Sequence, residues 1–415
     1  MKITPAPLRR RVVEEMHLRP GIDIRGPASA WQVLNLFAAD KIEEQAAAAK
    51  AHFGSLTGSD NVGRHATFGA DGISYDWELH SEACTATVIA AGHIGRPEQE
   101  VREWLKGFPG TILRAVKINI DLVGEEDDKP KGLRSDMVAG RLGSVAFFSS
   151  FSFGPDGLGR LRIFVREEAR GEDVSRSVRQ LQELGNYRNL ALIGFDLVRA
   201  FQADLRKMEA KLASIVEDLG STDALDALSD LAIDIARLRE ATSYRLGATE
   251  AYAEIVEDRL EMLHPSRVPG HQTLEEFIQR RFAPAMRTCQ NFSVRLDSLA
   301  MRMAQASELL RTRIDTDLAQ QNAAILASIG QTGRKQLQLQ RLVEGLSVFA
   351  VAYYSLGIAD YLLGGVPPDI GFEREGAMAA LVLPTLLMIF LALRWQQSRL
   401  QRDDLVKTEP GRRDV

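Results

Sequence analysis

The stretch Asp76-Trp77-Glu78-Leu79-His80-Ser81-Glu82 gathers the side chains of this sequence best suited to chemistry. On a strand, alternate residues share a face. Tyr75, Trp77 and Leu79 would then turn to the core, with Asp76, Glu78, His80 and Glu82 in a polar row behind them. Two carboxylates and an imidazole can hold a divalent metal. His17, in His17-Leu18-Arg19-Pro20, would complete such a site if the fold brings it near. Glu78, His80, Glu82 and His17 are therefore the candidate ligands, and a divalent cation is the candidate cofactor. A solvated strand face has the same composition, so both readings stand.

A second constellation lies near the C-terminus. Ser347, Tyr354 and Tyr361 recur every seven residues, with Gly357 near the same face. Small and polar residues in a stripe suit helix–helix contact; the same stripe could line a pore. Asp360 would sit at the outer mouth, either as one member of a carboxylate ring that concentrates cations or as an acid reaching water. No catalytic residue is assigned. The chain has no Gly-x-x-x-x-Gly-Lys loop, no Gly-x-Ser-x-Gly elbow and no paired CxxC, and Gly154–Gly159 reads as a hairpin turn. The expectation is a protein that is not an enzyme.

The elements that would position these residues fall into three parts. Residues 1–170 read as an α+β domain, with a capping box at Ser29 and Gln32 starting a helix from about Ala30 to Phe53. Strand-like runs follow at Ile73–Ala91, Ile112–Val123, Ser144–Phe153 and Leu161–Glu167. Short spacings favour hairpins, which predicts a largely antiparallel sheet with helices on one face. Gly124–Arg134 reads as a loose loop. Residues 171–341 carry a helical period and predict a long antiparallel, coiled-coil-like stalk of helices at about 173–219, 222–263 and 272–341. Thr273 with Glu276 caps the last, and Pro284 predicts a kink. From Thr222 to Met262 ten acidic residues face four basic ones; from Gln272 to Arg341 six face ten. Opposite signs fit antiparallel neighbours. The third helix then runs on the order of 100 Å at 1.5 Å per residue into the next part.

Residues 342–395 predict a transmembrane hairpin, with spans at about 343–363 and 377–393, the second kinked at Pro384. Arg334, Lys335 and Arg341 precede the first span; Arg394, Arg399 and Arg402 follow the second, and the loop between is acidic. Positive residues stay inside, so both termini, including a tail at 396–415, are expected in the cytoplasm, with the protein multi-pass in the inner (plasma) membrane. The segment Met1–Pro20 has no apolar core of the kind a secretory signal needs. A net charge of −5 argues against a nucleic-acid partner. Cys84 and Cys289 are expected as free buried thiols. The expected partners are the lipid bilayer and further copies of the chain, joined through stalk and membrane helices.

These residues resemble a bacterial family of membrane-anchored proteins, the domain of unknown function 3422, over close to the full length. The carriers are His17-Leu18-Arg19-Pro20, Trp77–Glu82, Tyr187-Arg188-Asn189-Leu190-Ala191-Leu192, and most specifically Leu310–Asp315 through Gln321-Asn322 to Glu344–Ser347 and Tyr353-Tyr354. The resemblance implies a membrane anchor and no settled activity. The order of parts is also similar to that of CorA-type magnesium channels. Those end the first span with Gly-Met-Asn, whereas Gly357-Ile358-Ala359-Asp360 stands here, which argues against selective magnesium transport. Two expectations follow: a membrane-anchored oligomeric scaffold or binding module, or a CorA-like cation channel without that motif.

Overall fold

The computed structural model describes residues 24, 26–58, 62–70, 72–92, 97–124, 133–169, 171–221, 223–363 and 374–407. By internal packing the chain divides into two units, Met1–Glu308 and Leu309–Val415. The helix expected at Ala30–Phe53 gives way to strand β1, Ala28–Leu36, and helix α1, Ile42–Thr57. Ser29, Gln32 and Asn35 recur every three residues and imitate the polar side of a helix, yet all three are buried in the sheet. The Gln32 amide donates to Thr87 Oγ1 at 3.0 Å, and the Asn35 amide donates to the carbonyls of Phe108 and Pro109. With these donors satisfied, Gln32 and Asn35 can lie inside a central strand, although Asn35 Oδ1 has no hydrogen-bond partner among the described residues. Helix α1 stops at Gly58, whose left-handed φ of 65° lets its N–H reach Gly54 O.

The other elements of the first unit are β2 (His65–Ala70), β3 (Ile73–Leu79), β4 (Ala83–Ala91), α2 (Pro97–Lys106), β5 (Thr111–Val123), β6 (Val138–Leu142), β7 (Val145–Phe153) and β8 (Gly159–Arg166). They are followed by α3 (Gly171–Glu217), α4 (Ala224–Leu263), β9 (Gln272–Thr273) and the start of α5 (Leu274–Leu363). The nine described strands form one sheet in the order β2-β3-β4-β1-β5-β8-β7-β6-β9. Six of its eight described pairings are antiparallel, as expected, but the sheet is mixed: β5 pairs with β8, and β6 with β9, in parallel. The chain leaving β5 passes two strand positions, so the β6-β7-β8 meander folds back and its last strand meets β5. The run expected as Ile73–Ala91 breaks at His80–Glu82, where the His80 N–H donates to Ala83 O at 2.9 Å.

Helices cover both faces of the sheet, not one. Trp31, Val33, Ala86 and Val88 pack with Phe53 of α1 and with Val101 and Leu105 of α2. On the other face Ala30, Ile118, Ile120 and Ile163 pack with Val174, Val178 and Leu184 of α3, and the same core takes in Val256 of α4 and Ile278 of α5. Each strand residue therefore meets apolar cover whichever way it points, which is why β1 is buried almost end to end.

Helix α4 packs along α3. Buried Leu205 and Leu212 of α3, Leu231, Ile235 and Leu238 of α4, and Leu296 and Leu299 of α5 give each helix one apolar stripe. The capping box at the start of α5 forms as expected: the Glu276 N–H donates to Thr273 Oγ1 at 3.1 Å and the Thr273 N–H to Glu276 Oε2 at 3.4 Å. The ion pairs between helices do not follow the net signs read from sequence. Arg295 of α5 forks onto Glu209 of α3, and Arg239 of α4 meets Asp297 of α5. Both pairs are exposed enough to add little stability. Cys84 and Cys289 are buried and free; burial pushes their thiols up to about 12 and about 11.

In the second unit, α5 continues without a break past Gly330 and Gly333 to Leu363, and α6 spans Arg374–Lys407 with Pro384 inside it. Among the described residues one helix, α5, holds a stretch long and apolar enough to cross a membrane, and almost none of that stretch is buried. The apolar stretch of α6, Met378–Ala392, is shorter.

Candidate functional site

A cavity of about 300 Å³ opens between β5, β7, α3 and the start of α5. Its floor is set by Arg114. In β5 the inward residues are Arg114, Val116, Ile118 and Ile120, so a guanidinium occupies a core-facing position. Arg114 Nη1 donates to Gln32 Oε1 at 2.7 Å and to Asn186 Oδ1 at 2.9 Å. Helix α3 leaves room for it at Gly185, where a Cβ would stand 2.8–3.0 Å from the guanidinium atoms. The remaining donors of Arg114, Nε and Nη2, have no hydrogen-bond partner among the described residues.

Arg188, one helical turn beyond Gly185, forms the wall above. Its guanidinium lies 4.6 Å from the Phe151 ring centroid, a cation–π contact. Phe151 in turn stacks on Phe277 of α5, with centroids 4.4 Å apart and planes 14° from parallel. Phe151 is held in the left-handed region, with φ of 50°, at a bulge where the β7–β8 register shifts between Ser149 and Phe153. Its N–H donates to Ser149 Oγ at 3.2 Å. A phenylalanine strained in this way persists only where its surroundings hold it. Here the Arg188–Phe151–Phe277 stack does so.

The electrostatics of the cavity are one-sided. Arg114, Arg160, Arg188 and Arg281 line it, and among the described residues no aspartate or glutamate does. Arg160 has a partner in Asp156, at 2.6 Å. Arg114 and Arg188 meet no carboxylate among the described residues. Burial first, then the like charge of Arg188, pushes Arg114 down to about 9; burial pushes Arg188 down to about 10. Both stay charged at neutral pH, so one buried and one half-buried positive charge share the cavity without a counter-charge among the described residues.

Asp156 anchors the β7–β8 turn at the cavity's edge. Burial pushes its carboxyl up, but hydrogen bonds from Arg160, the Leu158 N–H and Arg102 outweigh that, and the group falls from 3.8 to about 2. A depressed carboxylate stabilises the fold above its unfolded pKa and stops doing so as pH falls through the folded one. Discounted for solvent screening of this exposed network, the expected contribution is about 1 kcal/mol, present above pH ~4 and lost between pH ~4 and ~2. Melting temperatures of wild type and Asp156→Asn should therefore differ at pH 5 and converge toward pH 2. A gap that persists unchanged at pH 2 would remove this role.

Of the residues expected to bind metal, Glu82 is placed apart from Glu78 and His80. Glu82 lies beyond the end of β3, in the turn, and is 2% exposed. It accepts hydrogen bonds from Arg245 at 2.8 Å and Tyr252 at 3.0 Å, both on α4. Burial, with the Glu82 carboxylate adding to it, raises the Tyr252 phenol to about 12. Glu78 and His80 line a different and narrow polar cleft, of about 50 Å³, with His65, Asp76 and Gln182. In it His65 Nε2 meets Asp76 Oδ1 at 3.1 Å, and His80 sits edge-on to Tyr187. His17 lies outside the described residues. Among the described residues no group of three or more His, Cys, Asp or Glu side chains is arranged to hold a metal ion. In the second unit, Tyr354, Gly357, Asp360 and Tyr361 line an open groove with Met378 of α6, while Ser347 Oγ donates to Val343 O within its own helix.

Sequence reasoning passed over Arg114 and Arg188. One signal was present: Arg114 shares the parity of Val116, Ile118 and Ile120, and a charge at a core-facing position demands an explanation.

A family model described as Protein of unknown function (DUF3422) matches residues 4–400 of the chain. No curated protein and no solved structure matches it, so the likeness to CorA-type channels gains no support from them.

Proposed function

The chain belongs to the DUF3422 family, and from that premise, which brings no activity with it, we propose a membrane-anchored, non-enzymatic binding module. The observation that carries this reading is the end of α5. Leu342, Leu346, Phe349, Tyr353 and Leu362 are 68–76% exposed, on a stretch that could span a bilayer by length and composition. Apolar surface of this extent is costly in water and stable in lipid. Leu383, Met388 and Phe390 of α6 are exposed in the same way, which supports a second membrane segment. That stretch is short for a full span, and tilt or local thinning of the bilayer would accommodate it.

Arginines and lysine before the first segment and arginines after the second support a topology with both ends in the cytoplasm, by the positive-inside rule. Ile314, Leu318, Ile325 and Ile329, exposed on α5 at intervals of four and seven, support pairing with α5 of a second copy.

The test is fractionation of cells making the full chain. It should stay in the pellet through high salt and alkaline carbonate, and leave only with detergent. A reporter fused to the C-terminus should be active when it is one that works in the cytoplasm. Recovery in the carbonate supernatant would end the anchor reading.

A further inference from the structure

We propose that the cavity between β5, β7, α3 and α5 binds a small organic anion, a carboxylate or phosphate monoester on an apolar body, with Arg114 and Arg188 holding its charge. The inference deepens the binding-module reading and rests on that part of it; it is independent of the membrane anchor, because every lining residue belongs to the first unit.

Three observations converge. First, two guanidiniums with no carboxylate partner among the described residues are sunk in one cavity. Burying unpaired charge is costly, and the cost is relieved when an anion arrives. Arg114 is held rigid by Gln32 and Asn186 through Nη1 alone, which leaves the Nε/Nη2 edge with no protein partner. That edge is the one that forks onto carboxylates and phosphates. Arg188 is oriented by the Phe151 ring and touches only Asn189 Oδ1, at 3.4 Å.

Second, most of the rest of the lining is apolar, with Ser149, Ser152 and Asn189 as its uncharged polar members. Phe147, Phe151, Phe277 and Phe282 supply rings, and Leu181 and Leu192 fill between them. Inorganic anions have no use for such walls. A volume of about 300 Å³ lies at the lower end of small-molecule sites, roughly 300–1,000 Å³. That admits one ring system or a short chain beside the charged group.

Third, the backbone at the cavity mouth is strained at Phe151, and strain of this kind collects where a ligand is clamped. Arg281, exposed on α5 at the rim, extends the positive field outward and would steer an anion in.

The experiment is isothermal titration of the purified full chain in non-ionic detergent with four probes: 2-naphthyl phosphate, 2-naphthoate, neutral 2-naphthol and inorganic phosphate. The expected result is saturable binding, one per chain, of 2-naphthyl phosphate, 2-naphthoate or both. Their ratio identifies the headgroup. Naphthol should give only the non-saturable partitioning of the micelle, and inorganic phosphate should bind at least tenfold more weakly. Arg188→Ala should weaken anion binding by roughly tenfold or more, the usual scale for one charge-assisted contact. Arg188 is chosen because it is only half-buried. Arg281→Ala, at the exposed rim, gives a smaller loss that grows at low salt. Absence of saturable binding by either organic anion would overturn the proposal. So would saturable binding of naphthol at equal strength, or an Arg188→Ala chain that binds as wild type does. A chain that pellets with membranes yet binds neither anion sinks this inference alone; one that binds but is carbonate-soluble sinks only the anchor.

Discussion

Glu82→Ala is expected to lower the stability of the first unit by about 3–5 kcal/mol, the range found when one partner of a buried ion pair is removed. The carboxylate is 2% exposed, and Arg245 opposite it only 17%. Without Glu82 the Arg245 guanidinium keeps its burial and loses its counter-charge, and the Tyr252 hydroxyl loses its acceptor. The turn between β3 and β4 would also come off α4, since Glu82 is its main tether there; Ser81 reaches Tyr252 only at 3.4 Å. Thermal or urea unfolding, followed through the tryptophans of the first unit, would register the change. The double variant Glu82→Ala/Arg245→Met should recover most of the loss, because it removes both charges and leaves apolar bulk. A single variant within about 0.5 kcal/mol of wild type, the ordinary scatter of surface changes, would show that the pair does no structural work.

Trp77→Ala is expected to cost a similar amount, about 3–5 kcal/mol, by a different route. The indole is fully buried. It stacks on Phe53 of α1 at 6.1 Å and on Phe108 at 6.2 Å between ring centroids, and Nε1 donates to Gly63 O at 3.2 Å. Truncation would leave a cavity among rigid rings that collapse poorly, and would free both α1 and the segment before β2. Trp77→Phe keeps most of the bulk and should recover more than half of the loss. If the alanine variant melts within a degree or two of wild type, the aromatic cluster is not the core of that face.

The α+β class and the long helices were legible because their signals are local. Thr273 and Glu276 make their cap from backbone and side chains three residues apart. Leu205, Leu212 and Leu231 mark helix faces by spacing alone. Trp77 showed its inward direction by strand parity. What failed had non-local causes. Gln32 and Asn35 mimic the polar side of a helix because their partners, Thr87, Arg114 and Phe108, lie 55 to 82 positions away. The parallel pairing of β5 with β8 depends on where a distant meander docks. Glu82 left the polar row because the strand ended three residues short of it, and its partners wait on a helix some 160 residues later. The arginine cavity was hidden for the same reason: it is assembled from a strand, a bulge and two helices, and only the misplaced charge at Arg114 hinted at it. Tyr187–Leu192, one of the carriers of the family resemblance, supplies Arg188, Asn189 and Leu192 to its lining.

One border of the sheet is a strand only two residues long, and its second residue, Thr273, already caps a helix. An extended chain arriving at that border would find no row of free amides and carbonyls to zip onto, because the backbone turns away at once. Templated growth from sheet to sheet is closed off on that side.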